Sequence, residues 1–297
     1  DIDPTVWIDD DGQAYMYWGN PYTYYARLNE DIVSLKDSVV RLPYHIENYQ
    51  EGPWFYKRNG FYYLAYASTC CPEGIGYAMS DSPTGPWTSK GYIMRPTDRS
   101  RGNHPGIIDY KGRSYIFGLN YDIMHLETME HHERRSVSAA EITYNSDGTI
   151  QEVPYWLDQQ PLEQLEYLNP YRRVEAETMN WGYGLKTEKR ADGNGMVVTN
   201  IDNGKYIRLR GVDFGRKGAK RFIASVSSNG GGTIELKLDS DKNPPVAQLH
   251  IEGTGGTDHY REMSCNVRNM KGVHDLYLCF KKDSPSDNMK FDYWKFK

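Results

Sequence analysis

Three ionisable residues stand at matching places in the first half of the sequence. Asp3, Glu51 and His104 each lie one or two positions before a proline. Two carboxyl groups and an imidazole are residue types that serve in general acid and base catalysis or bind a metal ion. If the fold brings the three together, they form a candidate site; if it does not, each of them only caps its own turn.

The segments that follow these prolines repeat one pattern. An apolar stretch leads into a tight turn that ends in glycine, and a stretch rich in aromatic residues comes next, which is typical of a β-hairpin. Pro4, Pro53 and Pro105 are about fifty residues apart, the period expected for propeller blades. Because a blade places its first strand beside the central axis, we expect the three ionisable residues to converge at one end of that axis.

The pattern stops between residues 158 and 169, which we interpret as the last propeller strand and a linker. Short predicted strands then alternate with glycine-rich turns, as in a β-sandwich or jelly roll. These strands are Val174–Ala176, Tyr206–Leu209, Ile234–Leu238, Val273–Phe280 and Phe291–Phe296. The prediction is an all-β protein with a propeller domain at 1–168 and a β-sandwich domain at 169–297.

The composition limits the classes of function. Aromatic residues make up 13% of the chain, with 25 tyrosines against 8 phenylalanines, which suits half-buried strands and surfaces that stack on sugar rings. The net charge of −5 with no basic block argues against a nucleic-acid partner. No apolar run approaches the length of a membrane span, so we expect no membrane partner either.

The four cysteines leave the cellular compartment open, although a secreted or periplasmic location is favoured. Cys70, Cys71, Cys265 and Cys279 show no zinc-ligand spacing. We expect that the adjacent Cys70 and Cys71 do not bridge each other. Cys265 and Cys279 either form a disulfide or remain reduced thiols in the core.

Five stretches of the first half carry a family resemblance: Ile2-Asp3-Pro4, Ile8-Asp9-Asp10-Asp11-Gly12-Gln13-Ala14-Tyr15, Tyr17-Trp18-Gly19, Glu51-Gly52-Pro53-Trp54 and Asn103-His104-Pro105-Gly106. They resemble glycoside hydrolase family 43, in the branch of β-xylosidases and α-L-arabinofuranosidases that act on xylan. The resemblance implies a five-bladed β-propeller that hydrolyses glycosides with inversion, using two carboxyl groups about 6.5–9.5 Å apart.

The resemblance also assigns roles to individual residues. Glu51 matches the general acid, and Asp3 matches a carboxylate that keeps the pKa of the acid high and helps to orient it. His104 matches a histidine near the axis that helps to hold a calcium ion or a water below the sugar. Trp54 belongs to the matching motif and, like His104, is assigned to substrate binding.

Two further family positions are less simple to place. Arg135 is similar to the family's arginine beside the pocket, with Arg134 as the alternative. The family's general base lies on the first blade, upstream of the Ile-Asp-Pro motif, and this chain starts at the second blade. We therefore expect a general base absent from this chain and an N-terminal fragment of the same enzyme as a partner.

Three stretches of the second half, Glu175-Ala176-Glu177, Gly211-Val212-Asp213-Phe214-Gly215 and Gly272-Val273-His274-Asp275-Leu276-Tyr277-Leu278, resemble carbohydrate-binding module family 6. Glu175 and Glu177, two apart on a strand, and Asp292 on the last strand match positions that bind a structural calcium ion through oxygen ligands. The alternative is that all three are solvated carboxylates on strands.

The principal sugar cleft of that module family uses a tyrosine and a tryptophan as stacking platforms, together with an asparagine. Tyr206 fits the tyrosine, but Thr257 and Lys290 stand where the tryptophan and the asparagine are expected. Sugar binding in this cleft is therefore in doubt. For the whole chain, the resemblances imply an inverting hydrolase that releases arabinofuranose or xylose from xylan or xylo-oligosaccharides. The alternative is a non-catalytic carbohydrate-binding protein.

Overall fold

A computed structural model of the protein describes residues 2–100, 103–120 and 136–297. Within these ranges strands dominate, and the only helix is a short 3-10 turn at Trp156–Asp158. No helix in the described part of the chain is long and apolar enough to span a membrane. The chain divides into two compact units, Asp1–Leu162 and Glu163–Lys297, close to the boundary predicted at 168.

The described part of the N-terminal unit contains three antiparallel sheets, one for each repeated segment. The first sheet has the order β1 (Thr5–Ile8), β2 (Ala14–Trp18), β3 (Tyr24–Leu28) and β4 (Val40–Arg41). The second has the order β5 (Tyr49–Arg58), β6 (Phe61–Ser68), β7 (Gly74–Ser80) and β8 (Thr88–Met94). The third consists of β9 (Gly106–Tyr110), β10 (Arg113–Asn120) and β11 (Ser136–Ile142), with β10 in the middle. Each predicted hairpin is confirmed by the strand pairs β1–β2, β5–β6 and β9–β10.

Two-residue turns close the second and third hairpins. Asn59 and Gly60 have φ values of 50° and 86°, and Lys111 and Gly112 have φ values of 51° and 78°. Positive φ at both positions is the backbone of the type I′ turn, which matches the right-handed twist of the flanking strands. Glycine adopts this backbone readily, and its presence at the second position of each turn is why the sequence predicted these hairpins.

The second sheet is covered on both faces. Every residue of β7, and every residue of β6 after the first, is buried. One cluster of buried side chains, which includes Tyr17, Phe55 and Trp87, packs the first sheet on the second. Another cluster, which includes Tyr63 and Ile116, packs the second sheet on the third. The three sheets are therefore stacked face to face in chain order.

The first and third sheets expose apolar side chains on their outer faces. In β1, Val6 and Ile8 are exposed and alternate with the more buried Thr5 and Trp7. In the third sheet, Ile108, Phe117 and Val137 are exposed. Side chains alternate between the two faces of a strand, so these residues point away from the second sheet.

The C-terminal unit contains two antiparallel sheets. The six-stranded sheet has the order β14 (Lys186–Lys189), β15 (Met196–Thr199), β22 (Met289–Phe296), β17 (Ala219–Ser228) and β20 (Gly256–Met270), with β12 (Val174–Glu175) beside β22. The five-stranded sheet has the order β13 (Trp181–Tyr183), β16 (Tyr206–Asp213), β21 (Val273–Lys282), β18 (Gly232–Leu238) and β19 (Ala247–Ile251). Side chains from both sheets, among them Leu278, Phe222 and Trp294, form one buried core. The unit is a β-sandwich, and the predicted all-β class is confirmed.

The cysteines differ in part from the expectation. The expectation that Cys70 and Cys71 do not bridge each other is wrong, because their Cα atoms lie 3.1 Å apart and a disulfide joins the two sulfurs. Cys265 and Cys279 are free thiols, and their strands, β20 and β21, belong to different sheets. Burial raises the pKa of both thiols, that of Cys279 to about 11.

Candidate active site

The three ionisable residues of the repeated motif meet in the N-terminal unit. His104 Nε2 lies 3.1 Å from Glu51 Oε1, and His104 Nδ1 lies 3.9 Å from Asp3 Oδ2. One ligand atom from each of the three residues lies within 4.8 Å of the other two. The predicted convergence of these residues is confirmed.

Strand positions explain this meeting. Asp3 and His104 lie just before β1 and β9, and Glu51 lies near the start of β5, so all three stand at the same end of their sheets. Asp3 has a φ of 61°, a conformation that aspartate adopts more readily than most residues. Between Glu51 and Trp54 the pairing of β5 with β6 shifts by one residue, and such a β-bulge re-aims the side chains beside it.

Both oxygens of Glu51 have polar neighbours. Asn20 Nδ2 donates a hydrogen bond to Glu51 Oε2, while Oε1 faces the imidazole of His104. Gln50 Nε2 in turn donates to Asn20 Oδ1 at 3.1 Å and holds the amide in this orientation. The Glu51 side chain is 18% exposed, so an oriented carboxyl remains within reach of a ligand. Sequence reasoning missed Asn20, although it directly follows the quoted Tyr17-Trp18-Gly19 stretch.

A buried network fixes the residue before His104. Asn103 is fully buried. Its backbone N–H donates to Glu73 Oε2 at 3.0 Å, and its Oδ1 accepts a hydrogen bond from Trp156 Nε1 at 3.2 Å. The backbone that carries His104 is therefore held from two directions. Glu73 lies outside every motif considered in the sequence, and no sequence signal pointed to it.

Asp3 does not have the geometry of a general base for inversion. Its Oδ2 is buried and accepts no hydrogen bond from the described residues. A carboxylate oxygen of Asp3 lies within 4.8 Å of one from Glu51, whereas the two carboxyl groups of an inverting pair stand about 6.5–9.5 Å apart to admit a water. The role of Asp3 as a partner of the acid stays a prediction, as does a cation held through His104.

The two remaining substrate-binding predictions in this unit stay untested. Trp54 Nε1 donates to the backbone oxygen of Ile107 at 3.0 Å, which ties β5 to β9, and the residue is 37% exposed. Arg135, like the alternative Arg134, lies outside the described residues.

The carboxylates predicted to bind calcium in the sandwich surround a region that also contains arginines. Strand β12 ends at Glu175, so the prediction that Glu175 and Glu177 share one strand face is wrong, because the chain leaves the sheet before Glu177. Glu175 accepts two hydrogen bonds from Arg173, at 2.7 and 2.9 Å. Asp292 lies on β22 as predicted, and its Oδ2 accepts a hydrogen bond from Arg190 at 2.5 Å.

Two carboxylate oxygens in this region lack hydrogen-bond partners among the described residues, namely Glu177 Oε2 and Asp292 Oδ1, both buried. Burial raises the pKa of the Glu177 carboxyl, and the nearby carboxylates of Glu175 and Asp292 raise it further. A hard cation would satisfy both oxygens. Arg173 and Arg190 already supply positive charge beside Asp292, so the residues fit a calcium ion only in part.

Tyr206 lies in an aromatic cluster on the five-stranded sheet. Its ring stacks on Tyr183 with centroids 5.5 Å apart and is tilted against Tyr277 at 5.6 Å. Lys290, which stands where the module family has an asparagine, forms ion pairs with two carboxylates, those of Glu188 at 2.6 Å and Asp258 at 2.8 Å. The role of Tyr206 in sugar binding stays a prediction.

Family models match both units of the chain. Residues 1–150 match the model for glycosyl hydrolases family 43. This chain belongs to glycosyl hydrolase family 43. Residues 175–297 match the carbohydrate binding module of family 6, so both resemblances noted in the sequence are confirmed.

Two curated relatives of this family 43 chain are longer than the chain itself. An arabinoxylan arabinofuranohydrolase of Paenibacillus polymyxa is 33% identical over 333 residues, which cover 99% of this chain and 51% of the relative. The protein of the same name from Bacillus subtilis (strain 168) is 32% identical and covers 99% and 63%. The chain therefore spans about half to two thirds of the length of these curated relatives.

One solved structure is similar to this family 43 chain along almost its whole length. It is the crystal structure of a glycoside hydrolase family 43 arabinoxylan arabinofuranohydrolase from Bacillus subtilis in complex with cellotetraose. The two share 31% sequence identity with a TM-score of 0.88, over 99% of this chain and 66% of that chain. This likeness identifies the stacked sheets as propeller blades and confirms the predicted fold, a β-propeller followed by a β-sandwich.

Proposed function

We propose that this protein is a glycoside hydrolase that releases arabinofuranose or xylose from xylan or xylo-oligosaccharides. The observation that carries the proposal is the meeting of Asp3, Glu51 and His104 in a family 43 chain. The names of two relatives, both arabinoxylan arabinofuranohydrolases, support a substrate of this class.

Glu51 is the proposed general acid. Its carboxyl donates a proton to the glycosidic oxygen as the bond between that oxygen and the anomeric carbon breaks. Asn20 donates a hydrogen bond to Oε2, and His104 Nε2 faces Oε1 at 3.1 Å. Held between Asn20 and His104, the carboxyl keeps one orientation, and such positioning lowers the entropic cost of the proton transfer.

We propose that hydrolysis inverts the anomeric configuration, with a general base other than Asp3. The short distance between Asp3 and Glu51 leaves no room for the attacking water. We further propose that the exposed apolar faces of the first and third sheets are covered by another blade of the same enzyme, which brings the base. This blade belongs either to the same polypeptide or to a separate N-terminal fragment, and apolar patches of this kind commonly mark interfaces.

A calcium ion in the sandwich is a separate proposal. Glu177 and Asp292, each with a buried oxygen that lacks a hydrogen-bond partner among the described residues, would hold it, with Glu175 beside them. When bound, the ion supplies positive charge to hard oxygen ligands and has a structural role. It would link the segment after β12 to the last strand of the unit.

Two activity assays test the proposed function. Turnover of an aryl α-L-arabinofuranoside or an aryl β-xyloside by the purified protein supports it, and proton NMR of the first product formed shows whether the configuration is inverted. No turnover of either compound or of xylan, together with retained binding of xylo-oligosaccharides, would favour the non-catalytic alternative. Native mass compared with denatured mass shows whether a second fragment accompanies the chain.

A further inference from the structure

A cavity of about 290 Å³ opens at the outer side of the first sheet, lined by Tyr22, Arg41, Leu42, Pro43, Tyr44 and His45. Arg41 ends β4, and the backbone N–H of Leu42 donates to the oxygen of Thr23, just before β3. Since the strands of this sheet are antiparallel, this end of β3 and β4 is also the end at which Asp3 precedes β1. The cavity and the catalytic cluster therefore lie at the same end of the sheet.

The turn between β2 and β3 connects the two places. Its Asn20 donates to the carboxylate of Glu51, and Tyr22, two residues later, lines the cavity. Three strand spacings of about 4.8 Å separate β1 from β4, so the cavity lies roughly 14 Å farther out than the strand that follows Asp3. One sugar at Glu51 does not reach it, whereas a unit farther along the same polysaccharide chain does.

Tyr44 gives the cavity a fixed aromatic wall. Its hydroxyl accepts a hydrogen bond from the backbone N–H of Trp87 at 2.9 Å, and Trp87 is buried between the first and second sheets. The Tyr44 side chain is nevertheless 39% exposed. The hydrogen bond holds the hydroxyl in place, and the exposed ring can pack against the C–H face of a sugar. Aromatic side chains in the walls of ligand sites act in this way.

Arg41 adds hydrogen-bond donors to the same cavity. Its guanidinium carbon lies 3.6 Å from the centroid of the Tyr22 ring, so the planar group is stacked and held. Within the described part of the chain the guanidinium forms no ion pair. Its N–H groups can therefore donate to the hydroxyl oxygens of a neutral sugar in the cavity that Arg41 lines.

We propose that this cavity is a distal subsite for a pentose unit of the polysaccharide, separated by intervening units from the unit held at Glu51. The proposal rests on the proposed function and specifies how the polymer is held. A larger cavity, of about 580 Å³, lies at the other end of the same sheet and does not compete for this role. It is lined by polar and acidic residues, among them Asp11, Glu30 and Asp31, and by no aromatic ring.

Calorimetric titration of the full chain with a linear xylo-oligosaccharide tests the subsite. We expect Tyr44→Ala and Arg41→Ala each to weaken one class of binding sites about fivefold to tenfold, the range for a lost aromatic contact. Tyr44→Phe keeps the ring but loses the hydrogen bond from Trp87, so it should bind more tightly than Tyr44→Ala. Tyr110→Ala is the matched control, because Tyr110 is also exposed and has a cation, Lys111, over its ring. It ends β9, at the opposite end of that strand from His104.

Several results would overturn the subsite. They are titrations of Tyr44→Ala and Arg41→Ala that superimpose on that of the parent, a parent that binds no oligosaccharide, and a Tyr44→Phe variant as weak as Tyr44→Ala. The aryl glycoside assay separates this proposal from the proposed function. Weakened binding in Tyr44→Ala without any hydrolysis by the parent would support the cavity as a sugar site and contradict only the proposed hydrolysis. Hydrolysis by the parent, together with unchanged oligosaccharide binding in Tyr44→Ala and Arg41→Ala, would contradict only the subsite.

Discussion

The imidazole of His104 lies directly against the backbone of Gly52. A Cβ atom at residue 52 would come within 2.8 Å of His104 Cγ and 2.9 Å of His104 Nδ1. Gly52 also has a φ of 58°, within the region that side chains other than glycine rarely adopt. Because Gly52 directly follows Glu51, one glycine permits both the bulge that turns the carboxyl and the approach of the imidazole to it.

We expect Gly52→Ala to reduce hydrolysis by about 10²-fold, the order found when reacting groups are misplaced by about 1 Å. The new methyl group must displace the His104 ring, which then no longer meets Glu51 Oε1. The positive φ adds a stability cost of about 1–2 kcal/mol. Steady-state kinetics on an aryl glycoside and a thermal unfolding curve measure the two effects separately.

Gly60→Ala is the matched control for this change. Gly60 has a φ of 86°, and a Cβ there would meet nothing within 4 Å. The variant should therefore show a similar loss of stability with nearly unchanged kcat. If both variants lose activity equally, the contact between Gly52 and His104 does not matter for catalysis.

We expect Glu51→Gln to lower kcat by about 10²–10⁴-fold, the usual contribution of a general acid, while the protein stays folded. Glutamine retains the shape of the side chain but has no proton to give. The loss should be greatest for substrates with poor leaving groups, which depend most on protonation. Glu47 is an exposed carboxylate close by in the chain, and Glu47→Gln should leave kcat unchanged. Normal turnover of a substrate with a poor leaving group by Glu51→Gln would contradict the assignment.

The convergence of Asp3, Glu51 and His104 could be predicted from the sequence because three local signals agree. Each residue is followed by a proline, an alternating strand and a turn, and the repeat sets all three in the same register. The type I′ turns at Gly60 and Gly112 are equally local. Hairpins are specified by neighbouring residues, so their order and register are readable in one sequence.

The partners of these residues could not be predicted in the same way. Asn20 reaches Glu51, and Glu73 reaches the backbone of Asn103, across contacts between segments about thirty residues apart. Neither belongs to a repeat, and a polar residue in a turn is normally solvated. The end of β12 at Glu175 could not be predicted for a similar reason. Tertiary contacts, which one sequence does not show, decide where a short edge strand leaves its sheet.

Asp9 and Lys57 form an ion pair of 2.9 Å between the first and second sheets, and Tyr62 donates to the same carboxylate at 2.5 Å. Burial raises the pKa of Asp9, but the hydrogen bonds from Tyr62 and Lys57 more than offset it, and the pKa lies below its ordinary value. We expect Asp9→Asn to lower the free energy of unfolding at pH 7 by about 1–3 kcal/mol.

The pH dependence of this effect has a defined sign. A carboxyl whose pKa is lowered in the folded state stabilises the protein above its unfolded pKa, and the stabilisation disappears as the pH falls through the folded value. The difference between the parent and Asp9→Asn should therefore shrink in acid. Asp10→Asn, at the largely exposed neighbour, should have a small effect. Urea unfolding at neutral and acidic pH gives the values, and an equal deficit of Asp9→Asn at both would contradict the prediction.

Removal of calcium should destabilise the C-terminal unit. Glu177 Oε2 and Asp292 Oδ1 are buried and lack hydrogen-bond partners among the described residues, and an ion bound only by the folded state adds about 2.7 kcal/mol at one hundred times its Kd. We expect excess chelator to lower the melting temperature of this unit in the full chain. Added calcium should restore it, and magnesium should not, because it requires a tighter octahedral site.

Glu177→Gln tests whether these carboxylates are the ligands. The variant should melt at the same temperature with and without calcium, since a neutral amide oxygen is a weaker ligand for a hard cation than a carboxylate. Glu252→Gln, at an exposed carboxylate of the same unit, should keep the full calcium response of the parent. A parent melting curve that does not move in excess chelator, with no metal found by elemental analysis, would contradict the calcium site. The charge of Asp292 would then be balanced by Arg173 and Arg190.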